Sequence, residues 1–171
     1  MPRLITTAAL AAVFAVAVGA EQRESPATGR GLRVEVTVPP AIRGEPVTGR
    51  VYVMVARAND REPRLQIGRT GTPFFGRDVD MLPPGRAAVL DASDHGAPVA
   101  SMKDLPPGDY WVQGFVNVYS EFERADGHTV WMHDDQWKGQ RWNVSPGNLY
   151  SQPRPGADRT GRAGGQSLRT A

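Results

Sequence analysis

The sequence predicts an all-β fold, an immunoglobulin-like antiparallel β-sandwich with a Trp-rich C-terminal loop. Three observations lead there. Short runs alternate apolar and polar residues, Pro and Gly turns separate them, and no stretch beyond residue 20 has helical spacing.

The chain opens with Met1-Pro2-Arg3-Leu4 and an apolar run over residues 8–18. Val18 and Ala20 stand at the −3 and −1 positions before Glu21, so residues 1–20 read as a cleaved signal peptide. The run is too short for a spanning helix, which needs about 20 apolar residues. The expected location is therefore periplasmic or extracellular, with no membrane attachment after cleavage. Residues 21–31 mix charge, Pro and Gly and read as a flexible lead-in.

Residues 32–152 form the expected β-sandwich domain. Leu32, Val34, Val36 and Val38 alternate with Arg33, Glu35 and Thr37, which marks a half-buried strand. Pro39-Pro40 ends it, because proline cannot donate to a ladder. Over residues 48–57, Val51, Val53 and Val55 share one face and Tyr52, Met54 and Ala56 the other. Both faces are apolar, which predicts a central strand covered on two sides. Residues 57–72 are polar apart from Leu65 and Ile67. Phe74, Phe75 and Val79 suggest a short strand, residues 81–86 a turn around Pro83-Pro84-Gly85, and residues 87–90 another strand.

The clearest segment is Leu105-Pro106-Pro107-Gly108-Asp109-Tyr110, followed by aromatic and β-branched residues to Tyr119. It reads as a turn and a strand, with Tyr110 placed as a tyrosine corner whose phenol bonds back to the backbone upstream. A catalytic role for that phenol is the alternative. The tail, residues 153–171, is rich in Arg, Gly and small residues and is expected to be disordered.

Composition narrows function. The chain has no cysteine, so disulfides are not its stabilising device even in an oxidising compartment. Its formal charge of +2 depends on Arg3 and the arginine-rich tail, and the body between them is slightly acidic. That is not the footprint of a nucleic-acid binder. No Gly-x-Ser-x-Gly elbow, cysteine nucleophile or phosphate-binding glycine loop is present, and no cofactor is implied.

Two constellations merit weighing. His128, His133, Asp134 and Asp135 have the donor types of a divalent-metal site. On a strand, however, His128 and Asp134 face one side and His133 and Asp135 the other, so a bulge or turn would be needed. The alternative is a hydrogen-bonded polar loop beside a tryptophan. The second set is aromatic: Trp111, Phe115, Trp131, Trp137 and Trp142 could form a ligand-binding platform on which sugar rings stack, with Gln113 and Asn117 bonding hydroxyls. The simpler alternative is that the tryptophans fold back and bury that sheet face. The segment over residues 131–150 also has the Trp, Met and Arg content of a docking surface.

Several strings occur in a familiar order: Arg64-Leu65-Gln66-Ile67-Gly68, Thr72-Pro73-Phe74-Phe75-Gly76, the Pro-Gly-Asp-Tyr turn, Asp126-Gly127-His128-Thr129-Val130-Trp131, His133-Asp134-Asp135-Gln136-Trp137, Arg141-Trp142-Asn143 and Ser145-Pro146-Gly147-Asn148-Leu149-Tyr150-Ser151. Over residues 32–152 the chain resembles the N-terminal region of secreted bacterial esterase-like proteins, similar to enterochelin-esterase-type α/β-hydrolases. The resemblance implies a hydrolase domain after this region that carries the nucleophile, acid and histidine. None of these is present here, because the sequence departs into the Arg/Gly tail after Pro153. The resulting expectation is an exported, non-catalytic module for domain packing or for binding a ligand or partner. A carbohydrate and a hydrolase domain are the candidate partners. The alternatives are a carbohydrate-binding module or a truncated carboxylic-ester hydrolase.

Overall fold

The structure is a computed structural model that describes residues 32–134, 141–156 and, in its backbone, 166–170. The expected signal peptide and lead-in lie outside the described residues, as do Asp135 and Trp137. Ten strands are described: β1 (Val34–Thr37), β2 (Val47–Ala56), β3 (Phe74–Leu82), β4 (Ala87–Leu90), β5 (Gly96–Ala97), β6 (Trp111–Glu123), β7 (Thr129–His133), β8 (Leu149–Ser151), β9 (Arg154–Pro155) and β10 (Gln166–Thr170). Single 3-10 turns occur at Pro63–Leu65, Met102–Asp104 and Trp142–Val144.

The all-β class stands. The strands join in one hydrogen-bonded order, β4-β1-β10-β8-β6-β2-β3-β5. β7 and β9 pair with the two ends of β6. The sheet curls so that β4 comes back against β2 and β3, making a half-barrel. All pairings are antiparallel except β1 with β10.

The alternation read from the sequence positions the core. Val34 and Val36 of β1, Val51, Val53 and Val55 of β2, Phe75 of β3 and Val112 and Val116 of β6 meet inside the curl. Fully burying such a side chain contributes about 1.5–3 kcal/mol before chain entropy is counted. β2 is central as expected, with β3 on one side and β6 on the other. Gly49 is required there, since a Cβ would stand 2.2 Å from the Asn117 carbonyl oxygen on β6.

Two boundaries shift. β3 runs on through Met81 and Leu82, so the expected turn begins only at Pro83. The hydroxyl of Thr48 on β2 accepts the Met81 N–H at 3.1 Å and holds it there, although Met81 has a positive φ of 47°. The tail expected to be disordered contains β9 and β10. Strand pairing uses backbone groups that every non-proline residue carries, and β1 and β8 each offer an edge to β10.

The turn before β6 forms as the sequence suggests. The Tyr110 hydroxyl donates to the Pro106 carbonyl. The Arg57 guanidinium lies 4.0 Å above the Tyr110 ring centroid and donates to the carbonyls of Pro106, Pro107 and Asp109. Tyr110 is thus a structural anchor for the start of β6, the strand on which most of the sheet is assembled.

Candidate functional site

The second face of the central strands carries Tyr52 of β2, Phe74 of β3, Gln113, Phe115 and Asn117 of β6, and Tyr150 of β8. Directly opposed pairs such as Tyr52 with Phe115 and Phe115 with Tyr150 place these side chains together. Two segments lie over this face. One is the Pro63–Leu65 turn with the loop that follows. The other is the Trp142–Val144 turn.

Trp142 is the centre of the arrangement. Its ring stacks on Tyr52 at 4.5 Å and meets Phe115 at 5.6 Å and Phe74 at 5.8 Å. Buried Asn148 ties it to the sheet, donating to the Trp142 carbonyl at 2.7 Å and accepting the Val118 N–H at 3.0 Å. Burial pushes the Tyr52 phenol up to about 12, against the pull of the Arg50 guanidinium.

The two covering segments are also tied to each other. The Asn143 amide donates to the Arg64 carbonyl at 2.8 Å, and the Arg64 guanidinium donates to the Asn143 carbonyl at 3.1 Å. Arg64 also lies 4.0 Å above the Tyr150 ring and pairs with Glu62 at 2.7 Å. Fully buried Gln113 accepts the Arg64 N–H and donates to Glu62 and to the Ser151 carbonyl. Burial works to raise the Glu62 carboxyl, but the Gln113 amide and Arg64 outweigh it and hold the group below its usual value. Further along the loop, Gln66 donates to the carbonyls of Ala58 and Arg61 and fixes the bend.

Between these walls lies a cleft of about 430 Å³. Ile67, Gly68 and Arg69 form one side, Arg141, Trp142 and Asn143 the other, and Phe74 and Ala97 complete it. The lining is mostly apolar, with Arg69 and Arg141 among its residues. Small-molecule sites are commonly clefts of roughly 300–1,000 Å³ with apolar walls and a few polar groups.

The aromatic set expected from the sequence does not gather into one surface. Phe115 is fully buried and cannot touch a bound glycan. Trp142 is the ring that folds back over it, so the burial alternative describes this face. Trp111 sits at the far end of β6, paired with Ala56 and Pro155. Trp131 is 47% exposed on β7, in a two-stranded ribbon that continues β6 beyond the edge of β2. Trp137 lies outside the described residues.

The proposed metal ligands are likewise apart. His128 is in the ribbon's turn, its side chain 78% exposed and its Nδ1 3.3 Å from Asp126. His133 closes β7 opposite Tyr119, about 16 Å along the strand at ~3.3 Å per residue. Asp134 follows His133, away from His128, and Asp135 lies outside the described residues. Among the described residues no three His, Asp or Glu side chains are placed to share a metal ion. The strand hairpin separates what the sequence brings close.

Sequence reasoning passed over Arg69, Ile67, Asn143 and Asn148 as site residues. A signal was nonetheless present, since two of the strings singled out in the sequence, Arg64-Leu65-Gln66-Ile67-Gly68 and Arg141-Trp142-Asn143, contribute Ile67, Gly68, Arg141, Trp142 and Asn143 to the lining. No family model matches the chain, and no curated protein or solved structure matches it.

Proposed function

We propose that the chain is an exported, non-catalytic binding module, of the kind that precedes the hydrolase domain in secreted esterase-like proteins. Its ligand site is the cleft beside Trp142. The observation that carries this reading is a cleft of about 430 Å³ whose walls are cross-tied by Arg64 and Asn143. Walls fixed before binding reduce the ordering cost of a complex.

The test is titration with phenylnaphthylamine, a neutral fluorescent probe of apolar sites. The expected result is saturable binding at one site, removed by Ala97→Phe, which fills the cleft from its exposed rim. Non-saturable binding, or binding indifferent to Ala97→Phe, contradicts the placement of the site. Turnover of short acyl esters that a single substitution abolishes contradicts the non-catalytic part. Export is tested separately, with the mature chain expected to begin at Glu21 by mass spectrometry.

A second reading, packing against another protein domain, is favoured by the β6–β7 ribbon. Phe122 there is 40% exposed, and Trp131 and Met132 are each 47% exposed. The partner would be a hydrolase domain of the kind the resemblance implies. Mixing the two and following tryptophan emission tests it. A blue shift that disappears in Trp131→Phe supports docking through the ribbon, and unchanged emission opposes it.

A further inference from the structure

We propose that the cleft beside Trp142 takes a small amphipathic anion, an aromatic or aliphatic body bearing one acidic group, with Arg69 and Arg141 receiving the acid. This rests on the cleft being the ligand site. The interior supplies apolar contact from Ile67, Phe74, Ala97 and Trp142, and no carboxylate is among the described residues that line it.

The charge pattern around the cleft selects the sign. Two arginines of this face are neutralised, Arg50 by Asp78 at 2.7 Å and Arg64 by Glu62 at 2.7 Å. Arg69 and Arg141 have no ion-pair partner among the described residues. Both are exposed, and both line the cleft. Two unneutralised guanidinium groups beside apolar walls attract an anion more strongly than the same groups on open surface, because the low-dielectric walls focus the field. The planar guanidinium fork also matches a carboxylate or sulfonate geometrically. A neutral ligand of the same shape would gain the apolar contacts alone. A cation would be repelled.

The experiment compares two probes of nearly equal shape on the full chain: anilinonaphthalene sulfonate, an anion, and neutral phenylnaphthylamine. The anion should bind at least ~10-fold more tightly at low salt, the advantage expected from one charge-assisted contact. Raising the salt concentration should weaken the anion and leave the neutral probe unchanged. The double variant Arg69→Gln/Arg141→Gln should erase the preference, bringing the affinities of the two probes within about two-fold of each other, since exposed substitutions leave the fold intact. Equal affinities in the unaltered protein, with Ala97→Phe still blocking both probes, overturn the anion assignment and leave the cleft as the site. A preference that survives the double variant also overturns it, by placing the anion elsewhere. Failure of both probes to bind overturns the anion assignment and the cleft together.

Discussion

Trp142 holds three roles at once: it stacks on Tyr52, covers Phe115 and lines the cleft. Removing it exposes two aromatic rings and frees one wall. Trp142→Ala is expected to cost on the order of 3 kcal/mol, the low end for a large aromatic because the ring is only partly buried. Trp131→Ala should change stability by no more than about 0.5 kcal/mol, since that ring projects from the ribbon. Urea denaturation of the two variants separates the roles, and similar losses would contradict the placement of either ring. Glu62 gives the site a pH dependence. Its carboxyl is lowered from 4.5 in the folded protein, so the folded state binds that proton less readily than the unfolded chain. The contribution is present above the unfolded value of 4.5 and lost as pH falls through the lower folded value. Stability measured on descending pH should therefore fall below about pH 4.5, and Glu62→Gln should flatten part of that fall. An acid limb unchanged by the substitution would show that Glu62 is not coupled to folding.

β6 is the element on which the molecule is organised, since it pairs with β2, β7, β8 and β9. Its contact with β2 depends on Gly49, where an added Cβ meets backbone that cannot swing aside. Gly49→Ala should cost about 2 kcal/mol, within the range for forced overpacking, and a loss under 0.5 kcal/mol would show that the strands can separate locally. At the other end, Tyr110→Phe removes the bond to Pro106 but leaves the Arg57 contacts, so a loss of about 1 kcal/mol or less is expected. Both features differ in how visible they are to sequence reading. The Pro-Gly-Asp-Tyr turn announces its own geometry, and the two-faced apolar pattern of residues 51–56 announces a central strand. β10 carries no such mark, because backbone pairing at an edge leaves little signature in side-chain type. The ribbon was hidden for a different reason. Spacing along residues 126–135 shows donors close in sequence, and only the hairpin shows that His128 in its turn and His133 at the far end of β7 stand apart.

At the scale of the whole molecule, the curled sheet divides two surfaces. Its inner face is filled by valines, and its outer face is covered by two loops that leave a cleft between them. The class of fold was legible from alternation and turns. The cleft was not, because its walls are joined by contacts such as Arg64 with Asn143 that bridge distant parts of the chain and follow no periodicity. What alternation did offer, the aromatic face of β6, fits both an open platform and a face buried by folded-back tryptophans, and the Trp142 turn covers it. Binding should therefore concentrate at the loops and leave the ribbon untouched. The most direct test follows backbone amide signals of isotope-labelled protein during addition of anilinonaphthalene sulfonate. The account predicts saturable shifts at Gly68, Arg69, Trp142 and Asn143. Shifts confined to the ribbon around Trp131, or none at the cleft, would contradict it.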